Sequence, residues 1–331
     1  MNGGFRSSER ERGAALLGVL VFVAIVGGLS AIALEKLRLS TSAATNAAAT
    51  DRARGYASGI EELVLLGLEE RLAASPQRMT LAGGWNGATR RFPLPVGNGV
   101  AHATLRDGGN CFNLNSVVQG DGATTTSARP AGIAQFRSLL QLLAVPEGEA
   151  AAVAAAAADW ADGDTLRGPL GAEDGDYARG DRPYRSANTI FADVSELRAV
   201  RGVTPQLYER VRPWVCALPS TELSSINANT LLPEQAPLLA MLAPDRLDIA
   251  RARRVIESRP INGWGNQIAF WQQEALRDVT VPLEVQLQPQ LVTRWFVIDS
   301  RVRILDSEFS EEVLVDARLQ PLRIVSRRWG E

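Results

Sequence analysis

Residues 14–34, AALLGVLVFVAIVGGLSAIAL, form an apolar run without a single charge. As a helix rising about 1.5 Å per residue it spans roughly 30 Å, the thickness of a bilayer's hydrocarbon core. No proline interrupts the chain before Pro76. The run continues into an alanine-rich stretch of mixed charge, in which Ile60, Leu63, Val64 and Leu68 recur at helical spacing. The pattern predicts one helix from about residue 14 to 73, on the order of 90 Å long at that rise. Its first third is membrane-soluble and its last third amphipathic.

Beyond it, PQRMTLAGGWNGATRRFPLPVGNG is dense in Gly and Pro and reads as loop. GVAHATLRDGGNCFNLNSVV alternates and breaks at Gly108-Gly109, as a strand, a turn and a short strand. Alternation returns near the C-terminus in LVTRWFVIDSRVRILD, EEVLVDARL and LRIVSRRW, with a polar turn near 306–310. These predict three antiparallel strands whose partner is the strand near residue 100. Between them, residues 121–288 favour helix, in QFRSLLQLLAV, EAAAVAAAAADWADG, SELRAVRGVTPQLYERVRPWV, TLLPEQAPLLAMLA, LDIARARRVIESR and NQIAFWQQEALRD. The expected class is α+β: a long helix packed on an antiparallel sheet, with a large α-helical domain inserted in a sheet loop.

Composition removes several function classes. The net charge is −2 and 46% of residues are hydrophobic, so no global field draws the chain to nucleic acid or anionic lipid. Lys36 is the only lysine, and His102, the only histidine, excludes His-pair metal sites and most His-based triads. No G-x-S-x-G elbow, P-loop or H-E-x-x-H occurs, and an enzyme is not expected.

The leader MNGGFRSSERERG carries Arg6, Arg10 and Arg12, which by the positive-inside rule keeps the N-terminus cytoplasmic and the rest outside. Three processing outcomes fit an apolar run here. A secretory signal could be cut at Ala31-Ile32-Ala33, giving Leu34 as the mature N-terminus, or the run could stay as an uncut anchor. A signal peptide, however, needs no helix continuing past its cut. A short basic leader ending in Gly, then an apolar segment heading a long helix, resembles the type IV prepilin-like proteins. That resemblance implies a prepilin peptidase cut between Gly13 and Ala14 that leaves the apolar segment attached. The family's usual glutamate at mature position five is Gly18 here. A carboxylate in the membrane is costly unless paired, so its loss suits a subunit with no neighbour ahead of it.

The whole pattern, with GGNCFNLNSVV (108–118), ADWADGDTLRGPLGAEDGDY (158–177), PYRSANTIFADVSELRAVRGVT (183–204) and SSINANT (224–230), resembles the minor pseudopilin K family of type II secretion systems. The resemblance implies an inner-membrane-anchored periplasmic protein at the tip of a pseudopilus, partnered by minor pseudopilins I and J, helping to start the filament that exports folded proteins. The expected organisation is leader 1–13, transmembrane helix 14–34, periplasmic helix 35–75, sheet 76–120, helical insertion 121–288 and sheet again 289–331.

DWADGDTLRGPLGAEDGDYARGD crowds Asp159, Asp162, Asp164, Glu173, Asp174, Asp176 and Asp181. Such a stretch reads either as a solvated acidic loop or as a cation trap, its glycines letting the backbone fold round an ion. An all-oxygen donor set selects a hard cation such as Ca²⁺. Asp162, Asp164 and Glu173 match positions 1, 3 and 12 of an EF-hand, but Leu166 and Arg167 stand where a ligand and the turn glycine belong. It is not an EF-hand. The family resemblance implies calcium in this loop: one or two structural Ca²⁺ ions, with Asp162, Asp164, Glu173, Asp174 and Asp176 as expected ligands and Asp159 a further candidate.

Outside the inner membrane a disulfide is permissible, so Cys111, on the sheet side, is expected to bridge Cys216, beyond the RVRPW helix, tying insertion to sheet. The alternative function is a membrane-tethered DNA-binding protein of the competence type. ELRAVRGVTPQLYERV has the look of a helix-hairpin-helix with Gly202 in its hairpin, and DIARARRVIESRPINGW could form part of another. Acidic residues outnumber arginines across the insertion, which opposes phosphate binding.

Overall fold

The computed structural model describes residues 5–95, 99–121, 126–179, 183–305 and 307–330, with side chains from residue 13 onward. Helix α1, Phe5–Ala74, is continuous and about 105 Å long at the usual rise. From Gly13 on it is long and apolar enough to cross a membrane, and its apolar segment is unburied. Ala49, Ala53, Ala57, Ile60, Leu68 and Leu72 form its buried stripe. The alanines let the helix backbone approach the sheet closely; the leucines fill the space where it widens.

The sheet is a five-stranded antiparallel meander: β1 Thr89–Pro93, β2 Val100–Asp107, β3 Trp295–Ile304, β4 Ser307–Asp316 and β5 Arg323–Gly330. Strand β1 falls in the stretch read as loop. Its Arg90-Arg91 pair gave no alternation to detect, yet Thr89–Pro93 pairs in register with Val100–Thr104. Arg-rich β1 and β5 are the edge strands, where charge discourages further pairing. Burial alternates along β3 and β4. One core joins Ala53, Ala57 and Ile60 to Ala101, Ala103, Val302, Ile304 and Phe309. The next joins Leu68, Leu72 and Trp85 to Phe296, Ile298, Val313 and Val315. Glu61 of α1 is buried and paired with Arg327 of β5, 2.6 Å from Oε1 to the guanidinium, which fastens helix to edge strand.

Asp107 and Phe296 face each other across β2 and β3, so the whole insertion occupies the place of a hairpin turn. It contains α2 Pro130–Leu142, α3 Glu147–Ala161, α4 Asp174–Tyr177, α5 Pro205–Val211, α6 Ala236–Ala240, α7 Ile249–Glu257 and α8 Gln267–Trp271. The chain enters it earlier than residue 121. Phe112, Leu114, Val117 and Val118 pack in the insertion's own core, and Phe112–Asn113 pairs in parallel with Val215–Cys216 rather than joining the sheet. Helix α3 has an alanine-lined surface against α2, burying Ala150, Ala154, Ala157, Ala158 and Ala161. Gly132 on α2 sits so close to Ser116 that a Cβ there would lie 1.8 Å from its carbonyl oxygen. The stretch ELRAVRGVTPQLYERV forms one 3₁₀ segment, Val194–Ala199, then a turn with Gly202 at φ 88° and α5.

Candidate metal centre

Helix α3 ends at Ala161, where the Thr126 hydroxyl donates to the Ala161 carbonyl and the Gly163 N–H to the Thr126 carbonyl. This delivers Asp162 to an acidic cluster: Asp162, Asp164 and Glu173 each offer a carboxylate oxygen within 4.8 Å of the others.

 Asp162 and Glu173 are only 4% and 5% exposed, while Asp164 is open to solvent. Asp162 Oδ1 and Glu173 Oε1 are buried and accept no hydrogen bond. An uncompensated carboxylate oxygen is expensive to bury, and here two share one pocket.

The electrostatics follow from that crowding. Burial pushes the Asp162 carboxyl up to about 7, with the charges of Asp164, Asp159 and Glu173 adding to it. Burial likewise raises Glu173, against the hydrogen bond from the Ser186 hydroxyl at 2.8 Å. Three acids with no internal cation among them resist ionising together, and a bound dication reverses that preference. The donor set is oxygen only, which fits a hard ion such as Ca²⁺ and no thiolate- or imidazole-seeking metal.

The other acidic side chains of the loop are differently engaged. Burial also raises Asp159, whose Oδ2 accepts the Gly168 N–H at 3.1 Å. A Cβ on Gly171 would come within 2.0 Å of the same oxygen, so the loop folds directly onto Asp159. Asp174 Oδ1 accepts from the Ser186 N–H and hydroxyl, at 3.0 and 3.1 Å. Asp176 meets the guanidinium groups of Arg201 and Arg167, at 3.2 and 3.6 Å. Asp181 lies outside the described residues. Trp160, Tyr177 and Tyr184 stack beside the loop, with ring centroids 5.1 to 6.3 Å apart, giving it an aromatic floor.

Cys111 and Cys216 form a disulfide. Cys111 follows the sheet exit at once and Cys216 stands beside Asn113 in the short parallel pair, so the bridge closes the base of the insertion. Gly13 and Ala14 lie on exposed helix; the side chains of residues 5–12, with Arg6, Arg10 and Arg12, and all of residues 1–4 lie outside the description.

Sequence reading missed a set of buried amides. Asn115 donates to the carbonyls of Phe191 and Leu218 and accepts the Phe191 N–H. Asn227 and Asn229 similarly bind Met79, Thr293 and Trp264. Asp107, raised by burial, accepts from Thr230, Thr293 and the N–H groups of Gly109 and Asn110. It knots the sheet exit, the returning chain and the SSINANT loop together. The asparagine-rich wording of GGNCFNLNSVV and SSINANT was the signal: polar residues embedded among apolar ones.

Two arginines of DIARARRVIESRPINGW are engaged within the fold, while Arg253 and Arg254 stay exposed. Arg251 binds the carbonyls of Ala275 and Arg246 and the carboxylate of Asp278, and Arg259 binds the carbonyls of Ala228 and Leu231.

Comparison with known proteins bears on the fold and the family. Two models of the family described as type II secretion system (T2SS), protein K, match residues 110–220 and 226–294. The chain is 33% identical to the type II secretion system protein K of Pectobacterium carotovorum, over 97% of each chain. It is 34% identical to that of Klebsiella pneumoniae, over 98% of each. A chain in the crystal structure of the GspK-GspI-GspJ complex from enterotoxigenic Escherichia coli superposes with a TM-score of 0.73 at 31% identity, covering 85% of this chain and 96% of that one. With its long apolar helix, its meander and its inserted helical domain, the chain belongs to the type II secretion system protein K family and is a minor pseudopilin.

Proposed function

We propose that this pseudopilin is a non-catalytic subunit at the tip of the pseudopilus, assembled with minor pseudopilins I and J. The likeness to a chain of the K–I–J complex is the observation that carries the reading. Its steric support comes from the fold. The last turns of α1 pack at Phe296, beside the junction from which the insertion springs. The insertion therefore extends from the end of the sheet remote from the apolar segment, where it obstructs a further subunit stacking ahead. Gly18, with no carboxylate to offer such a neighbour, fits the same position.

In this reading prepilin peptidase cuts between Gly13 and Ala14. The apolar part of α1 then anchors the protein once in the inner membrane, with the C-terminal domain in the periplasm. There the subunit helps start the filament that moves folded cargo outward. Ca²⁺ would be held in the loop after α3 by Asp162, Asp164 and Glu173, fixing a long segment of the insertion. Such an ion stabilises the fold by linkage, about 4 kcal/mol when free calcium is a thousandfold above its dissociation constant.

Co-purification of the periplasmic domain with the I and J pseudopilins tests the assembly role. A stable ternary complex is expected, and a persistent monomer in their presence defeats it. Mass spectrometry of the mature chain from membranes reads the processing: an N-terminus at Ala14 supports the cut, and one at Leu34 excludes it.

A further inference from the structure

Successive residues of a strand point to opposite faces of its sheet, and the last strand, β5, carries a pair of arginines. Arg327 turns inward, where it meets Glu61 of α1 at 2.6 Å and Glu311 of β4 at 3.3 Å. Arg328 turns outward, to Glu312 of β4 at 2.6 Å and to Asp193 of the insertion. Trp329 turns inward again: its indole N–H donates to Glu311 at 3.1 Å, and the Arg54 guanidinium of α1 lies 5.3 Å from its ring. No residue of β5 is buried, so its polar contacts and its ladder to β4 hold it, not an apolar core. We propose that β5 is a strap that fixes the tilt of the inserted domain over the sheet, with Arg327 fastening it to α1 and Arg328 propping the insertion.

The insertion overhangs the outer face of the sheet, leaving clefts of about 820 and 550 Å³, and Arg328, Glu312, Val194 and Arg212 border both. The ion pair with Asp193 bridges a gap that packing leaves open. Both ends of that bridge are held. Asp193 caps the 3₁₀ segment Val194–Ala199, its Oδ1 accepting the Ser195 N–H at 2.7 Å. Phe191, two residues earlier, is buried with its N–H on Asn115. On the sheet, Glu312 stands in register with both Asp299 and Arg328. Facing acids repel, and Arg106 answers both, at 2.7 Å from Asp299 and 3.1 Å from Glu312.

The two ties differ in strength. The side chains of Glu61 and Glu311 are 3% and 5% exposed, whereas those of Arg328 and Asp193 are 53% and 32% exposed. Solvent and salt weaken the outer tie far more than the inner one. When the outer tie slips, β5 stays on α1 and the insertion swings about the chain crossings at Asp107 and Phe296.

The test places spin labels on the full chain in detergent, at Ser58→Cys of α1 and Glu257→Cys of α7, both exposed. Double electron–electron resonance reads the distance between them. With β5 intact, the distribution should be narrow at about 0.1 M salt and broaden toward about 1 M, as the screening length falls from about 10 Å to about 3 Å. Arg328→Ala should give the broad distribution at both. So should Asp193→Asn, which keeps the acceptor for the Ser195 N–H. In each, amide exchange across Val194–Ala199 should rise up to about fivefold, with β5 unchanged. Arg327→Gln should broaden the distance as well, but with faster exchange in β5 itself, because it frees the strap and not the prop. A distribution that stays narrow in Arg328→Ala and Asp193→Asn overturns the inference. Should those variants misfold by circular dichroism, the salt response with β5 intact decides, and a width that salt does not change is equally fatal.

Discussion

Strand β3 buries alternate side chains against α1, whereas the insertion buries asparagines, a disulfide and a cluster of acids. The two regions solve the same problem by different means. In the helix-and-sheet region, backbone groups satisfy one another along strands, and apolar side chains supply the core. The insertion has short helices and long connections, so many buried backbone groups lack a regular partner. Side-chain amides such as Asn115 supply those partners, and a covalent bridge constrains the base of the insertion. A region rich in irregular backbone needs specific polar contacts; a regular one does not.

That contrast can be broken from either side. Replacing both cysteines, Cys111→Ser with Cys216→Ser, removes a closure spanning 105 residues. The chain-entropy model predicts a loss of about 4–5 kcal/mol. Denaturant melts should show it, with hydrogen exchange rising chiefly in the insertion. Equal acceleration in β3 and β4 would show that the two regions unfold as one.

Phe296→Ala attacks the other region. The ring is fully buried against Trp85 and the leucines of α1, so the loss should be about 3–5 kcal/mol. Helix α1 should loosen from the sheet while the insertion keeps its protection, as read by exchange.

Asn115→Ala strands the carbonyls of Phe191 and Leu218 and the Phe191 N–H. About 1–3 kcal/mol is expected. Asn115→Leu, which adds apolar volume, should fare no better, because the stranded groups belong to the backbone; recovery of stability by leucine would contradict the role given to the amide.

The smallest effect is a pH dependence in the sheet. Burial favours a raised Asp316 carboxyl, but hydrogen bonds from Arg318 overcome it and hold the group below its usual range. A depressed folded pKa gives stability that is present above the unfolded value, near 4. It is lost as pH falls through the folded one. Arg318→Gln should therefore lower the melting temperature at neutral pH, and the two curves should converge in acid. A gap that stays constant down to pH 2 would assign the effect to Arg318 packing on Trp295 instead.

Much of this was legible in the residues, and the reason is periodicity. A charge-free run of membrane length, no proline before Pro76 and strict alternation in the last strands each constrain one local geometry. Those features determined the long helix, three sheet strands and the presence of an insertion. Local pattern could not reveal β1, since Thr89–Pro93 becomes a strand only by pairing with β2. Nor could it place the entry to the insertion, because Phe112 and Val117 are apolar in either environment and only packing assigns them.

The acidic loop divides in the same way. Composition alone selected oxygen ligands and a hard cation, because ligand chemistry is a property of residue type. Which acids converge is a property of three-dimensional folding. Asp162, Asp164 and Glu173 meet because α3 stops at Ala161 and the loop closes on Asp159, while Arg201, far along the chain, arrives to occupy Asp176. A sequence counts charges; the distances that decide whether an ion or an arginine answers them exist only in the folded chain.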